Sequence, residues 1–282
     1  MIEQEIKNDK KGGIECRDYL VSGEKFKLIP ASEFDILKTQ PVPANLDFYY
    51  QSEDYISHTD SAKSITDRIY QLVKGYMLNQ KLNWIEKLKS PGKILDVGAG
   101  TGDFLLKAKK RGWKVSGIEP NKSARKLALL KDLNLQADLS KVGTEKFDVI
   151  CLWHVLEHIP NLEEEISNFK ALLKKDGILV IAVPNFKSHD AEYYEEFWAA
   201  YDVPRHLWHF SQKGINNLFS QFDLNLISTK ALIFDAYYVS LLSEKNKTGS
   251  SNYLKAIYRG WISNWKAKES SEYSSLVYFF KN

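Results

Sequence analysis

The run Ile94-Leu95-Asp96-Val97-Gly98-Ala99-Gly100-Thr101-Gly102-Asp103-Phe104-Leu105 constrains the fold more than any other part of the chain. A short apolar stretch of strand length turns on three close glycines and passes into a helical pattern. Without Cβ, the backbone can make the tight strand-to-helix turn and approach a ligand, and the helix start aims free N–H groups at it. A dinucleotide fingerprint needs a third glycine three residues after the second. Asp103 holds that place, with Gly102 one residue early, so a pyrophosphate would meet a carboxylate. A cofactor without phosphates fits better.

Further landmarks follow in order. Lys114 to Pro120 reads as a second strand ending in Glu119, about twenty residues past the first glycine, where a carboxylate accepts hydrogen bonds from ribose hydroxyls. Leu133 to Leu139 reads as a third strand with Asp138 at its end, Phe147 to His154 as a fourth, and Gly177 to Asn185 as a fifth. Between them, Phe104, Leu105 and Ala108 form an apolar helix face that stops at Gly112, a left-handed C-cap. Glu163, Glu164 and Glu165 load a helix N-terminus whose stripe is Ile166, Phe169, Leu172 and Leu173, ended by Asp176-Gly177. Upstream, Asp60 or Ser61 caps a long helix with an apolar face of Ile65, Ile69, Leu72, Val73, Tyr76 and Met77, continuing to Ile85 and Leu88. Alternating strands and helices imply a parallel sheet with helices on both faces and a ligand crevice at the strands' carboxyl ends. Asp96, Glu119, Asp138 and His154 sit at such ends.

At 282 residues, 44% hydrophobic and 27% charged, the chain is long enough for one large domain plus an appendage. Its net charge of +3 is small, and the clusters Lys107-Lys109-Lys110-Arg111, Lys122-Arg125-Lys126 and Lys170-Lys174-Lys175 read as solvated helix faces, not a nucleic-acid footprint. The longest apolar runs are of strand length, short of a membrane span, and Met1 to Lys11 lacks the apolar core of a signal peptide. Two cysteines, Cys16 and Cys151, make no disulfide framework, so a reducing, cytoplasmic setting is expected. Nothing in the sequence fixes the oligomeric state.

In this order the landmarks resemble the class I S-adenosylmethionine-dependent methyltransferases of small-molecule type, whose first motif is an acid followed by Gly-x-Gly-x-Gly. The resemblance implies an α/β, Rossmann-like seven-stranded sheet, mostly parallel. Leu224–Phe234 and Ser274–Phe280 would form an antiparallel edge pair, the final strand lying beside the fifth. S-adenosyl-L-methionine is the implied cofactor, held by Asp96, Gly98, Ala99, Gly100, Thr101, Gly102, Glu119, Pro120, Asp138, Leu139 and Trp153. Within that set Glu119 binds the ribose, Asp138 reads the adenine amino group, and Pro120 and Leu139 flank the base. The implied activity is methyl transfer to a small-molecule acceptor, O- or C-methylation of an aromatic, quinone-like or lipid-like compound. Two alternatives stay open: a catalytically inactive S-adenosylmethionine-binding module, and a nicotinamide-dependent oxidoreductase, which Asp103 disfavours.

The segment at about 186–210 is too aromatic and too polar for a plain connection, and is the expected substrate-covering insert of a 59–282 methyltransferase domain. Trp198, Tyr201, Arg205 and His209 are its candidate acceptor-binding residues, and His154 and His206 the candidate bases. Residues 1–58 read as an N-terminal arm resembling a zinc ribbon that precedes some bacterial methyltransferases. The second ligand pair would fall on Ala31 and Phe34, leaving Cys16 alone, so a metal-free ribbon remnant or β-rich arm is expected. Residues 49–60 then lead into the long helix as part of a lid over the cofactor. His154-Val155-Leu156-Glu157-His158 matches the His-x-x-Glu-His zinc-peptidase spacing. A buried strand up to Trp153 and the helix-stopping Pro160 argue against one metal-binding helix there, and no metal is expected.

Overall fold

The structure, a computed structural model, describes residues 13–32, 34–50 and 65–282. In chain order the elements are β1 (Ile14–Arg17), β2 (Lys25–Ser32), β3 (Ile36–Gln40), α1 (Ile65–Glu86), β4 (Lys93–Val97), α2 (Asp103–Lys110), β5 (Lys114–Ile118) and α3 (Lys122–Leu129). There follow β6 (Phe147–Trp153), α4 (Leu162–Leu172), β7 (Leu173–Pro184), α5 (His189–Tyr194), β8 (Trp208–Phe210) and α6 (Gln212–Ser220). The chain closes with β9 (Asn225–Ala231), α7 (Asp235–Thr248), α8 (Tyr253–Ser270) and β10 (Ser275–Lys281).

The strands form a four-stranded sheet ordered β1-β2-β3-β8 and a six-stranded sheet ordered β5-β4-β6-β7-β10-β9. The larger sheet inserts the last strand, β10, beside the fifth expected strand, β7, as the resemblance requires. Among the described residues it has six strands and not seven, because the expected third strand supplies only an isolated parallel bridge, Ile118↔Gln136. Its sequence, Leu133-Asn134-Leu135-Gln136-Ala137-Asp138, is too short of β-branched residues to sustain a ladder.

The chain divides into two compact units. The glycine-loop unit comprises the described parts of Glu53–Val155 with Glu163–Ile181 and Phe279–Asn282. Here β4 runs parallel to β5 and β6, pairing Asp96 with Gly117 and Cys151. Ile94, Leu95, Val149, Ile150, Cys151 and Leu152 are fully buried, the near-continuous apolar run that a parallel strand needs. On α2, Phe104, Leu105 and Ala108 are buried as expected, and Gly112 takes φ 88° just past the helix end. Of the expected stripe Ile85 is buried, beside Leu82, whereas Leu72 and Tyr76 on α1 and Leu88 just past it are 74%, 55% and 41% exposed. The caps Asp60 and Ser61, the side chains of Ile65 and Ile69, and the proposed lid residues 51–60 lie outside the described residues.

The β-arm unit comprises the described parts of Met1–Ser52 with Leu156–Leu162 and Ala182–Tyr278. β1, β2 and β3 are antiparallel neighbours. Ile36, Leu37 and Lys38 of β3 pair with Phe210, His209 and Trp208 of β8, so the arm does not stand apart as a 1–58 module. Cys16, opposite Phe26, is buried, which pushes its thiol up to about 12 and leaves it an unreactive core residue. Tyr194, Trp198, Tyr201 and Val203 pack in one cluster with Cys16, Phe26, Leu28 and Tyr49. The aromatic insert is therefore largely the core of this unit. Among the described residues no helix is long and apolar enough to cross a membrane.

Candidate functional site

The glycine loop follows β4 with all three glycines in left-handed backbone: φ is 71° at Gly98, 54° at Gly100 and 79° at Gly102. Two of them are also sterically required. A Cβ on Gly98 would stand 2.4 Å from Val155 Cγ2, and one on Gly102 would stand 2.6 Å from Leu133 Cδ1, whereas one on Gly100 would meet nothing within 4 Å. Gly100 thus faces open space at the head of α2. The buried Ala99 donates its N–H to Ile118 O at 2.8 Å, fastening the loop to the end of β5, and Thr101 is buried beside it. Glu119, at that strand end, accepts the Gly100 N–H at 2.7 Å on one carboxylate oxygen and the Asn121 N–H at 2.8 Å on the other. The acid is held beside the loop before any ligand arrives. Asp138 is exposed and accepts both the backbone N–H and the hydroxyl of Ser140 on Oδ1; those bonds hold its carboxyl below the usual range. Pro120 is exposed and Leu139 half-buried nearby in sequence.

Asp96 lies beneath this loop on β4. It is 2% exposed, and its Oδ1 is buried without a hydrogen-bond partner. Burial raises the carboxyl to about 8, opposed by the positive charge of Lys81 and reinforced by the negative charge of Glu119. Lys81, on α1, places Nζ 4.1 Å from the centre of the Trp153 ring, whose own Nε1 is buried without a hydrogen-bond partner. Two orphaned polar atoms, one acceptor and one donor, thus belong to the residues around the loop, an arrangement that costs stability unless a ligand or water satisfies it. Sequence reasoning did not find Lys81, because a single lysine on a long helix carries no local signal. Immediately after Trp153, His154 takes φ 57°, a left-handed conformation that costs a residue with Cβ about 1–2 kcal/mol. Such strain clusters at functional positions.

The β-arm unit gathers the remaining candidates differently from expectation. Arg205 is 1% exposed and spends its guanidinium on protein groups: Nε contacts both oxygens of Asp202, Nη2 reaches Asp202 at 2.6 Å and Asp18 at 3.1 Å, and Nη1 reaches Tyr49 O. With its charge matched by two carboxylates, it is a structural clamp, not a receptor for a substrate anion. Trp198 is buried with Nε1 on Asp190. His209 is buried, and because the Thr39 hydroxyl gives its proton to His206 O, the His209 Nε2–H donates to Thr39 Oγ1 at 3.0 Å. Both depart from the expected acceptor-binding role because their polar atoms are consumed inside the fold. Tyr201 is also buried, between Trp198 and His209. Trp198, Tyr201 and Arg205 do line one solvent-open cleft, together with Cys16, Tyr19 and Leu242.

His206 donates Nδ1–H to Ala200 O at 2.8 Å, and His158 donates Nδ1–H to Arg205 O at 2.9 Å. Both Nδ1 atoms are thus engaged with backbone carbonyls, and the two rings meet edge to face, centroids 4.6 Å apart. Burial, then the charge of His206, lowers His158 to about 4. The donor atoms of Glu157, His158 and His206 come within 4.8 Å of one another, a group that the zinc-like spacing did not foresee. Its first histidine, His154, is not in the group, since the chain there is a strand end followed by a 3-10 turn, Leu156–His158, and not a helix.

A family model described as a methyltransferase domain matches residues 67–229, more than half of the chain. The chain belongs to that methyltransferase family. Over 107 residues the methyltransferase is 36% identical to a protein of Actinobacillus pleuropneumoniae named ubiquinone biosynthesis O-methyltransferase, covering 33% of this chain and 46% of that one. It is 32% identical over 149 residues to an uncharacterized methyltransferase of Bacillus velezensis, covering 49% and 68%. The chain spans about half the length of the ubiquinone-biosynthesis relatives it matches. Among solved structures, the magnesium protoporphyrin IX methyltransferase of Synechocystis PCC 6803 with bound SAH aligns at a TM-score of 0.52 and 15% identity, over 80% of this chain and 91% of that one. At that identity the likeness is one of fold, and it agrees with the class I α/β methyltransferase architecture read from the landmarks.

Proposed function

We propose that this methyltransferase uses S-adenosyl-L-methionine to methylate a hydroxyl of a small molecule, an aromatic, quinone-like or lipid-like acceptor. The observation that carries the reading is the loop itself: an open left-handed Gly100, a carboxylate of Glu119 already fastened beside it, and a buried Asp96 oxygen in want of a donor. The residues present fit the cofactor. Gly98, Ala99 and Gly100, with Thr101 and Gly102, would run under its methionine part, Asp96 would receive the ammonium directly or through water, and Glu119 would take the ribose hydroxyls. Pro120 and Leu139 would flank the adenine and Asp138 its amino group, with Trp153 closing the loop's side. When bound, the cofactor supplies a methyl group activated by a sulfonium, open to in-line displacement.

The protein's own work is positioning, exclusion of water and removal of one proton. For the proton, His154 is the better base of the two candidates: it is half-buried at a strand's carboxyl end in a strained conformation, whereas His206 is buried and packed against His158. O-methylation is further supported by the names of the matched relatives. Calorimetry with S-adenosylmethionine and S-adenosylhomocysteine on the wild type, Glu119→Ala and Asp138→Ala tests the reading. Binding that weakens in both variants is expected; no binding by the wild type would end the proposal and void the site.

A further inference from the structure

We propose that the outer face of α8 is a docking surface for an anionic lipid bilayer, on which the protein lies without crossing it. The helix has two unlike faces. Ala256, Gly260, Ser263 and Ala267 are buried, and a Cβ on Gly260 would stand 2.8 Å from Tyr237 Cα, so this small-residue face packs closely on α7. The large apolar residues point the other way: Leu254 is 83% exposed, Ile257 57%, Tyr258 54%, Trp261 54% and Trp265 55%. Their spacing places them on one stripe about 16 Å long at 1.5 Å per residue, with the Tyr258 and Trp261 rings stacked. An amphipathic helix ordinarily buries such a stripe in its own core. A contiguous exposed apolar patch of this kind marks an interaction surface.

The charge around the stripe selects the partner. From Lys245 to Lys268 the sequence holds six cations, Lys245, Lys247, Lys255, Arg259, Lys266 and Lys268, and no Asp or Glu; with the flanking Glu244 and the exposed Glu269 counted, the balance is +4, still above the +3 of the entire chain. Glu244, just before it, is buried and paired with Lys255 at 3.0 Å. A second copy of the chain docking stripe to stripe would bring like charges together. An anionic surface complements them, and Trp and Tyr favour the headgroup boundary, where an amphipathic ring keeps one side wet. The stripe lies outside the family-matched residues 67–229.

The test is co-sedimentation of the full chain with phosphatidylcholine vesicles, with and without phosphatidylglycerol at about one third of the lipid. The comparison set is Trp261→Ser with Trp265→Ser, and separately Lys266→Glu with Lys268→Glu. We expect binding to the anionic vesicles at least tenfold tighter than to neutral ones, a blue shift of tryptophan emission on binding, and at least a tenfold loss in each double variant. Circular dichroism should be unchanged in both, since these side chains face solvent. Failure to sediment with anionic vesicles, or equal binding by the variants, would overturn the proposal. So would a dimer in sedimentation velocity that the tryptophan variant abolishes, which would make a second copy the partner.

Discussion

Arg205 holds two carboxylates in the interior of the β-arm unit, Asp202 three residues away and Asp18 brought from the N-terminal arm. Removing one partner of a buried pair leaves the others uncompensated and costs about 3–5 kcal/mol. Arg205→Leu is therefore expected to lower stability by that order in urea denaturation, and Arg205→Lys to recover little, because an ammonium cannot serve both carboxylates through a planar fork; a wild-type midpoint in Arg205→Leu would contradict the clamp. His158 and His209 are both held neutral by burial. Because His158 sits near 4 when folded against 6.5 ordinarily, the unfolded chain binds a proton between those values that the folded chain refuses. Stability should thus fall as pH drops from about 6.5 to about 4, and His158→Gln should flatten part of the slope in urea midpoints taken across that range. Asp96 has the opposite sign: raised to about 8, it keeps a proton when folded, and the unliganded fold loses stability as pH rises toward 8. An ammonium ligand prefers the ionised carboxylate, so S-adenosylhomocysteine should bind more tightly at pH 8.5 than at pH 6.5, and Asp96→Asn should remove most of that difference in calorimetry.

At the scale of an element, the glycine loop separates steric from functional need. Gly98→Ala forces a Cβ into Val155 at positive φ and should both destabilise the fold, by about 1–3 kcal/mol, and weaken cofactor binding. Gly100→Ala meets no protein atom and should cost only the roughly 1–2 kcal/mol of left-handed strain, yet reduce S-adenosylhomocysteine affinity at least tenfold. Equal affinities for Gly100→Ala and the wild type would mean that the open side of the loop is not where the ligand lies. This element was legible in the sequence because three glycines, a strand and a helix start are all local. The stripe of α1 was legible only in part, since the apolar period at Leu72 and Tyr76 does not report that those side chains reach solvent.

For the molecule as a whole, the cofactor reading predicts local protection. On adding S-adenosylhomocysteine, amide exchange should slow mainly over 96–103 and 117–121, the loop and the strand end that carries Glu119. A uniform change over both compact units, or none, would argue against a local cradle. The aromatic insert shows how far composition reaches: it announced a specialised segment, but Trp198, Arg205 and His209 turned out to be core and clamp, their polar atoms consumed by Asp190, by Asp18 with Asp202, and by Thr39. The expected arm of residues 1–58 shares a compact unit with later segments for the same reason, since β3 pairs with β8 far along the chain. By itself the sequence determined the order of strands and helices around the glycine loop, the loop's glycines and the acids Asp96 and Glu119 at strand ends, because periodicity, backbone freedom and caps are decided within a few residues. Only the tertiary structure decided which histidines face each other, which charges are spent on one another and which apolar stripe stays outside. Those choices rest on packing and desolvation between segments distant in sequence, and no local pattern encodes them.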